Sequence, residues 1–475
     1  MYDIAVIGGG VIGGMILREL SRYTRNVCLL EAEADVAMGA SRANSGIVHA
    51  GFDAKEGTKK AHFNLLGSRM MPQVCRELSV KYENNGSLVV AFSKDELETI
   101  AALRERGLHN GVEGLEILDR EALVREEPAI GPEALGALLA RTGGIVCPYE
   151  LTVAAIGNAM DNGASLFYGF RVNAIRREGD AYTVIAESGD SVRARYIVNA
   201  AGLASAEIAA LVGDTSFRMG ARRGEYIVLD KSYDGLVRHT LFFCPTKKGK
   251  GILVSPTVDR NILLGPTAEE QEDGAVPTTA EGLADVLAGA ARLIPTVPRG
   301  AAITSFAGVR AFCDRHDFII EPSAVAESFY LVAGIESPGL TSAPAIGAYV
   351  AAEVAAALGL SLRSDFSPLR KAPHLFHTMS TEEKNALIAR RPEYGQIVCR
   401  CEGITLGEIL DAVRTNPRAE TVDAVKRRTR AGMGRCQGGF CQPTVVRILA
   451  KELGIDYEAV TKSGGGSRIN VARIK

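Results

Sequence analysis

At 475 residues, 47% of them hydrophobic and 23% charged, with a formal net charge of −2, the chain has the make-up of an ordinary water-soluble protein long enough for about three domains. That balance gives no reason to expect nucleic acid or acidic lipid as a general partner. No apolar run of about 18 residues or more points to a membrane span, and MYDIAVIGGG lacks the basic start and long apolar stretch of an export signal, so a cytoplasmic protein with no transmembrane segment is expected.

The first thirty residues read as strand, glycine turn, helix and second strand. Ile4 to Ile7 form a short apolar run, Gly8, Gly10 and Gly13 spell G-x-G-x-x-G, Ile12, Met15, Ile16 and Leu20 follow at helical spacing, and NVCLLE ends in Glu31. This is the order of a dinucleotide-binding unit. The first glycine makes the turn, the second lets a pyrophosphate approach the backbone beside Val11 and Ile12, and the third lets helix and strand pack closely. The helix start faces the phosphates with its partial positive charge, and Glu31 accepts from ribose hydroxyls.

The motif alone serves FAD and NAD alike, and two later segments favour FAD. VRARYIVNAAGLASA (192–206) is an apolar strand running into a small-residue turn, of the kind that returns the chain beside the first glycine loop. FYLVAGIESPGLTSAPAIGAYV repeats strand, glycine loop and helix, with Thr341 or Ser342 as the expected N-cap and Pro344 in the first turn. Such a helix start would face the negative charge of a reduced isoalloxazine.

Between these segments SLVVAF, EYIVLD, GILVSP and NILLGP are short strands bounded by glycine and proline, which predicts a mixed sheet with a few helices. Residues 109–128 read as a turn, a strand and a short helix. PTKKGKG (245–251) offers Lys247, Lys248 and Lys250 to an anion, or is a solvated hairpin tip. RRGEY sets Arg222 and Arg223 at the entry to this region, one for the ligand and one for the surface. AYVAAEVAAALGL, with Glu353, reads as a packed helix, and TEEKNALIARR as a charged one.

Of nine cysteines, Cys399, Cys401, Cys436 and Cys441 make C-x-C-x34-C-x4-C. Clustered cysteines without an export signal favour metal or redox chemistry over disulfides. Four thiolates from two loops can enclose a [2Fe–2S] cluster, and Gly432, Gly434, Gly438 and Gly439 let backbone N–H groups turn toward the sulfurs. Zinc is the rival, although zinc ribbons usually carry C-x2-C at both ends. KRRTR (426–430), with Arg435, is expected to offset the cluster's negative charge; a nucleic-acid patch is the alternative reading. Cys28, Cys75, Cys147, Cys244 and Cys313 read as packing thiols.

SRANSGIVHAGF (41–52), with the glycine loop, RRGEYIVLD, VSPTVDRNILLGPTAEE and GIESPGLTSAP, resembles the FAD-dependent glycerol-3-phosphate dehydrogenase and oxidase family, among the D-amino-acid-oxidase-like flavoproteins. The C-terminal part resembles the [2Fe–2S] module of bacterioferritin-associated ferredoxin. L-2-hydroxyglutarate oxidases and dehydrogenases share the NSG-[IV]-[IV]-HAG segment. The resemblance implies that Glu31 binds the adenosine ribose, that Ser41, Arg42, Ser45 and Gly46 lie along pyrophosphate and flavin, and that Val172 meets adenine. It implies that Ala200 and Gly202 line the cofactor and that Gly339, Leu340 and Thr341 meet the pyrimidine edge. His49 becomes the candidate base and Arg310 the anion clamp, with Lys248, Lys250 and Ser337 as further substrate contacts. Histidine suits the base, since its unperturbed pKa is about 6.5.

The fold class expected is α/β: a Rossmann-type FAD-binding domain (1–75, 145–220, 305–360), a mixed-sheet substrate domain (76–144, 221–304), a connector (361–395), a small helical iron–sulfur domain (396–460) and a flexible tail (461–475). The function expected is oxidation of a small anionic 2-hydroxy substrate, first sn-glycerol 3-phosphate, with hydride to flavin N5 and electrons leaving through the cluster to a partner subunit or a quinone. Membrane association is expected only through such a partner. L-2-hydroxyglutarate oxidation, and an electron-transfer subunit with a non-catalytic flavin site, are the alternatives.

Overall fold

The computed structural model describes residues 1–245, 251–271 and 274–472. The chain opens with β1 (Tyr2–Ile7), α1 (Val11–Leu20) and β2 (Val27–Leu30). β1 runs parallel to β2 on one side (Ile4↔Val27 to Ile7↔Leu30) and to the strand Ser191–Asn199 on the other (Ile4↔Tyr196 to Ile7↔Asn199). It is therefore an interior strand, and its side chains serve two cores in alternation. Ile4 and Val6 pack with Ile16, Leu20, Ile346 and Val350, whereas Ala5 and Ile7 pack with Val184, Ile197 and Leu331. Ser165–Phe167 extends the sheet beyond β2, and Val172–Glu178, Ala181–Ala186, Phe329–Ala333 and Ile319–Pro322 complete its eight strands.

Four helices cover the Ile4 face, α1, Lys59–Leu78, Pro148–Asp161 and Gly339–Ala357, and glycines set their spacing. A Cβ on Gly347 would come within 2.9 Å of the Met15 backbone, so α1 and the helix Gly339–Ala357 touch almost backbone to backbone. A Cβ on Gly67, in α2 (Lys59–Leu78), would meet the Thr341 carbonyl at 2.0 Å. That second contact fixes the start of the helix Gly339–Ala357 over the site. The helix begins earlier than the expected N-cap: Pro338 holds the cap position, Thr341 is already inside, and Pro344 lies within the helix.

The second sheet has nine strands, among them the four predicted ones: Ser87–Ala91, Met219–Leu229, Leu253–Pro256 and Ile262–Gly265. It is mixed, because Ser87–Ala91 pairs in parallel with Thr240–Phe243 and antiparallel with Gly136–Ala140. Its longest ladder joins Met219–Leu229 to Ala302–Cys313, from Met219↔Cys313 to Leu229↔Ala302. The start of the third flavin segment at 305 is thus corrected: residues to Cys313 belong to the second sheet, held there by pairing with a strand far back in the chain. Leu115–Asp119 and Arg120–Glu126 are the predicted strand and short helix. The helix Ala280–Leu293 closes one face by packing Val286, Ala290 and Leu293 against Val254 and Leu264. Lys247, Lys248 and Lys250 lie outside the described residues.

The last module is a hairpin, Ile397–Cys399 with Ile404–Thr405, and three helices, Leu406–Arg414, Val422–Thr429 and Gln442–Leu453, around Ile409, Val413, Val425, Val446 and Leu449. Thr405 and Glu408 form a capping box that starts the first of these helices abruptly after the hairpin. The tail, expected to be flexible, folds back instead. Thr461 bridges Arg468, Lys462 pairs with Asp423, and Ile469 packs on the module's core.

Candidate active site

A crevice of about 1220 Å³ runs between the two sheets. One end is the glycine loop. Gly8 has φ +108° and its Cβ would fall 2.4 Å from the Ala200 carbonyl; Gly13, behind the loop, would drive a Cβ to 1.9 Å from the Gly8 carbonyl. Only glycine lets β1, α1 and the strand Ser191–Asn199 meet there. Gly8, Gly10, Val11 and Ile12 line the crevice, and Gly13 packs beneath it. The Ser41 hydroxyl accepts from the Val11 N–H at 2.9 Å, so a side chain already caps the anion-facing end of α1.

Glu31, at the end of β2, accepts from the Gly9 N–H at 2.7 Å and the Glu33 N–H at 2.8 Å. Burial raises its carboxyl above the usual range, and those two N–H groups oppose the rise. Arg42, Ser45, Val172, Ala200 and Gly202 line the same crevice, and burial lowers the Arg42 guanidinium. Gly46 does not line it; it sits against the Val146 carbonyl. A long, glycine-floored slot with a helix start and an acid at one end fits an adenine dinucleotide.

At the other end His49 is fixed through its backbone. Its N–H donates to Thr341 Oγ1 at 2.9 Å, and its carbonyl accepts from Asn64 Nδ2 at 2.9 Å. Thr341 therefore holds the histidine loop and does not line the crevice, while Gly339 and Leu340 do. His49 Nε2 stands 3.4 Å from Ser337 Oγ, and its ring lies 5.9 Å from that of Phe242. Arg310 also lines the crevice and has no carboxylate partner among the described residues. Its neighbour across the ladder, Arg222, lines the crevice too but is paired with Glu270 at 2.8 Å. Arg223 turns away to Glu225 and Glu269.

Phe242 and Tyr226 also line the crevice, unmarked in the sequence. Burial raises the Tyr226 phenol, and a hydrogen bond to Arg310 opposes that rise. Tyr226 stacks on Phe306 at 4.8 Å. Both crevice residues come from ordinary strand runs, and only the pairing of distant strands brings them beside His49 and Arg310.

The four module cysteines form two pairs. Cys401 Sγ lies 3.5 Å from Cys436 Sγ, and Cys399 is hydrogen-bonded to Cys441. The Cys441 thiol, with the backbone N–H groups of Gly432 and Glu402 behind it, lowers the Cys399 thiol to about 6. The N–H groups of Phe440 and Gly438 reach Cys436. Among the described residues, the one group of three metal-binding side chains within 4.8 Å of one another is Cys147, Glu150 and Asp259. The four sulfurs thus do not converge on one point, as a tetrahedral zinc site requires; two pairs match two irons.

The arginines of KRRTR are held by carboxylates, from the other domains and from the module's own Glu402. Arg427 and Arg428 bind Asp35, and Arg430 binds Asp259 and Glu402. Arg435 pairs with Asp230, and Tyr149 donates to the Met433 sulfur at 3.5 Å. These contacts seat the module on both sheets.

Comparison with known proteins agrees with this division. The FAD dependent oxidoreductase family matches residues 3–353, and the BFD-like [2Fe-2S] binding domain matches residues 397–451. The chain is 47% identical over 471 residues to a glycerol 3-phosphate dehydrogenase of Caloramator mitchellensis, covering 99% of this chain and 98% of that protein. A bovine L-2-hydroxyglutarate dehydrogenase is 30% identical over 283 residues, 56% of this chain and 61% of that protein. Among solved structures, the FAD-bound L-alpha-glycerophosphate oxidase of Mycoplasma pneumoniae superposes with a TM-score of 0.75 at 29% identity, covering 78% of this chain and 99% of that one.

Proposed function

The chain belongs to the FAD dependent oxidoreductase family and carries a BFD-like [2Fe-2S] binding domain, and from that premise we propose that it oxidises sn-glycerol 3-phosphate to dihydroxyacetone phosphate and releases the electrons one at a time. Bound FAD supplies the two-electron acceptor for the C–H bond, and the iron–sulfur centre supplies a one-electron outlet. The observation that carries the reading of an anionic substrate is Arg310: a guanidinium in the crevice, without a carboxylate partner among the described residues, in the same space as His49. A guanidinium holds phosphate bidentately, and Tyr226 at its side fixes its direction.

His49 takes the proton of the substrate hydroxyl on Nε2, the ring nitrogen that faces Ser337. Thr341 and Asn64 hold the histidine backbone from either side, so the ring's position does not depend on the substrate. Phe242 packs beside the imidazole, its ring 5.9 Å away. Similarity over the full length to a glycerol 3-phosphate dehydrogenase supports the same substrate.

The test is anaerobic addition of sn-glycerol 3-phosphate to the FAD-loaded protein, read as bleaching of the flavin band. Faster bleaching by L-2-hydroxyglutarate would move the substrate assignment. No bleaching by any hydroxy acid or polyol phosphate would leave an electron-transfer subunit.

A further inference from the structure

The cysteine module has an inner and an outer side. Cys399 and Cys441 are buried, Cys401 is exposed and Cys436 is half-exposed. The residue before each outer cysteine is an exposed arginine, Arg400 before Cys401 and Arg435 before Cys436. Phe440, before Cys441, is 86% exposed, more than any other large apolar side chain among the described residues. Pro443 and Arg447, at the start of the helix Gln442–Leu453, are exposed as well. Neither Arg400 nor Arg447 has a carboxylate within ion-pair reach among the described residues. Arg435 pairs with Asp230, yet its side chain stays 70% exposed. Glu402, two residues after Arg400, is turned inward onto Lys231 and Arg430.

An apolar knob among exposed guanidiniums, two of them without a carboxylate partner among the described residues, sits on a protein whose net charge is −2. We propose that this edge, around Arg400, Arg435, Phe440 and Arg447, is the docking surface for an acidic one-electron carrier protein. The proposal deepens the reading of the module as an electron outlet and rests on it. Positive charge around a small apolar contact suits a brief, electrostatically steered encounter: it raises the association rate and leaves dissociation fast. One phenylalanine is too little apolar surface to hold a membrane. Each encounter moves one electron to the carrier's oxidised metal centre. No bond is made or broken, and two carriers are reduced for each substrate oxidised.

The probe is rubredoxin, a small acidic iron protein, in its redox-inert zinc-substituted form for binding and in its iron form for electron transfer. Holoenzyme should bind zinc rubredoxin at about 20 mM salt and lose at least about tenfold in affinity by about 300 mM. Arg447→Glu, on the helix Gln442–Leu453 and not adjacent in sequence to a cysteine, and Arg400→Glu should each weaken binding about tenfold. Phe440→Ser should weaken it without changing its salt dependence. The visible spectrum of the cluster checks that each variant keeps its metal, and Arg400→Gln serves if Arg400→Glu does not. Affinity that ignores salt and both charge reversals, tighter binding of the basic protein cytochrome c, or binding to anionic vesicles in place of rubredoxin overturns the proposal. Flavin bleaching by sn-glycerol 3-phosphate is recorded on the same samples. Its loss with rubredoxin binding intact counts against the substrate reading alone.

Discussion

Asp35, in the loop after β2, takes the guanidinium of Arg428 on Oδ1 at 2.7 Å and that of Arg427 on Oδ2 at 2.6 Å. One carboxylate of the nucleotide-binding unit thus anchors the helix Val422–Thr429 of the cysteine module. Burial pushes the Asp35 carboxyl up, but Arg428 and Arg427 outweigh it and hold the group below the usual range. Its contribution to stability is therefore present above the unfolded pKa of about 3.9 and is lost as pH falls through the lower folded value. Asp35→Ala leaves two guanidiniums buried without a counter-charge and should cost about 3–5 kcal/mol. Urea unfolding measures the loss, and limited proteolysis should release the module early. A change under about 1 kcal/mol would show that the anchor is not needed.

Glu150 and Asp259 meet near the same seam, with Cys147 beside them. This group could be taken for a metal site, but Asp259 already accepts from Lys81 at 3.0 Å and Arg430 at 2.6 Å. Burial, and then the Asp259 carboxylate, raise Glu150 from 4.5 to about 7. Between those values the folded protein binds the extra proton, so stability falls as pH rises through the window, and the loss is complete above it. Glu150→Gln should raise the melting temperature at about pH 8 and leave it unchanged at about pH 4.5. An equal shift at both would mean that packing, not charge, is responsible.

His49→Gln keeps the backbone tie to Thr341 and removes the proton acceptor we propose. Flavin reduction at saturating sn-glycerol 3-phosphate should slow by about 10²–10⁴, with little change in substrate affinity. Ser337→Ala, which removes only the group facing Nε2 at 3.4 Å, should cost about 1 kcal/mol, roughly fivefold. Equal rates in wild type and His49→Gln would assign the proton to another acceptor.

Arg310→Met removes a crevice cation that has no carboxylate partner among the described residues while keeping its length. The loss in kcat/KM should be about 1.5–3 kcal/mol, roughly ten- to hundredfold, and should appear mainly in KM. Arg222→Met, whose charge is already matched by Glu270, should cost far less. Similar losses in both would mean that Arg222 exchanges Glu270 for the substrate.

What could be read from residues alone was local. The glycine loop, Glu31 and the C-x-C and C-x4-C motifs each lie within one short stretch whose spacing states its chemistry. The same holds for the strands Leu253–Pro256 and Ile262–Gly265, bounded by their own turns. Long-range pairing hid the rest. The sulfur pairs themselves, Cys399 with Cys441 and Cys401 with Cys436, form across the two cysteine stretches. The strand Ala302–Cys313 belongs to the second sheet because Met219–Leu229 waits for it there, and no feature within it says so. Phe242 and Tyr226 became crevice walls by the same route. KRRTR has the composition of a free basic patch, and two of its acids, Asp35 and Asp259, are 392 and 171 residues away.

Two glycines of the first loop separate folding from cofactor binding. A Cβ on Gly13 would lie 1.9 Å from the Gly8 carbonyl and 3.5 Å from Val6, so Gly13→Ala must push α1 off β1. That overpacking should cost about 1–3 kcal/mol in the protein without FAD, and FAD affinity should fall with it. Gly10 has the extended backbone of an N-cap, φ −76° and ψ 177°, and its Cβ would meet only Ser41 Oγ, at 3.3 Å. Gly10→Ala should therefore fold within about 0.5 kcal/mol of wild type and yet lose FAD, because its methyl stands where the pyrophosphate must approach the backbone. Thermal unfolding of both apoproteins, followed by FAD titration, reads the two effects apart. A Gly10→Ala protein that binds FAD as tightly as wild type would remove the pyrophosphate from this loop.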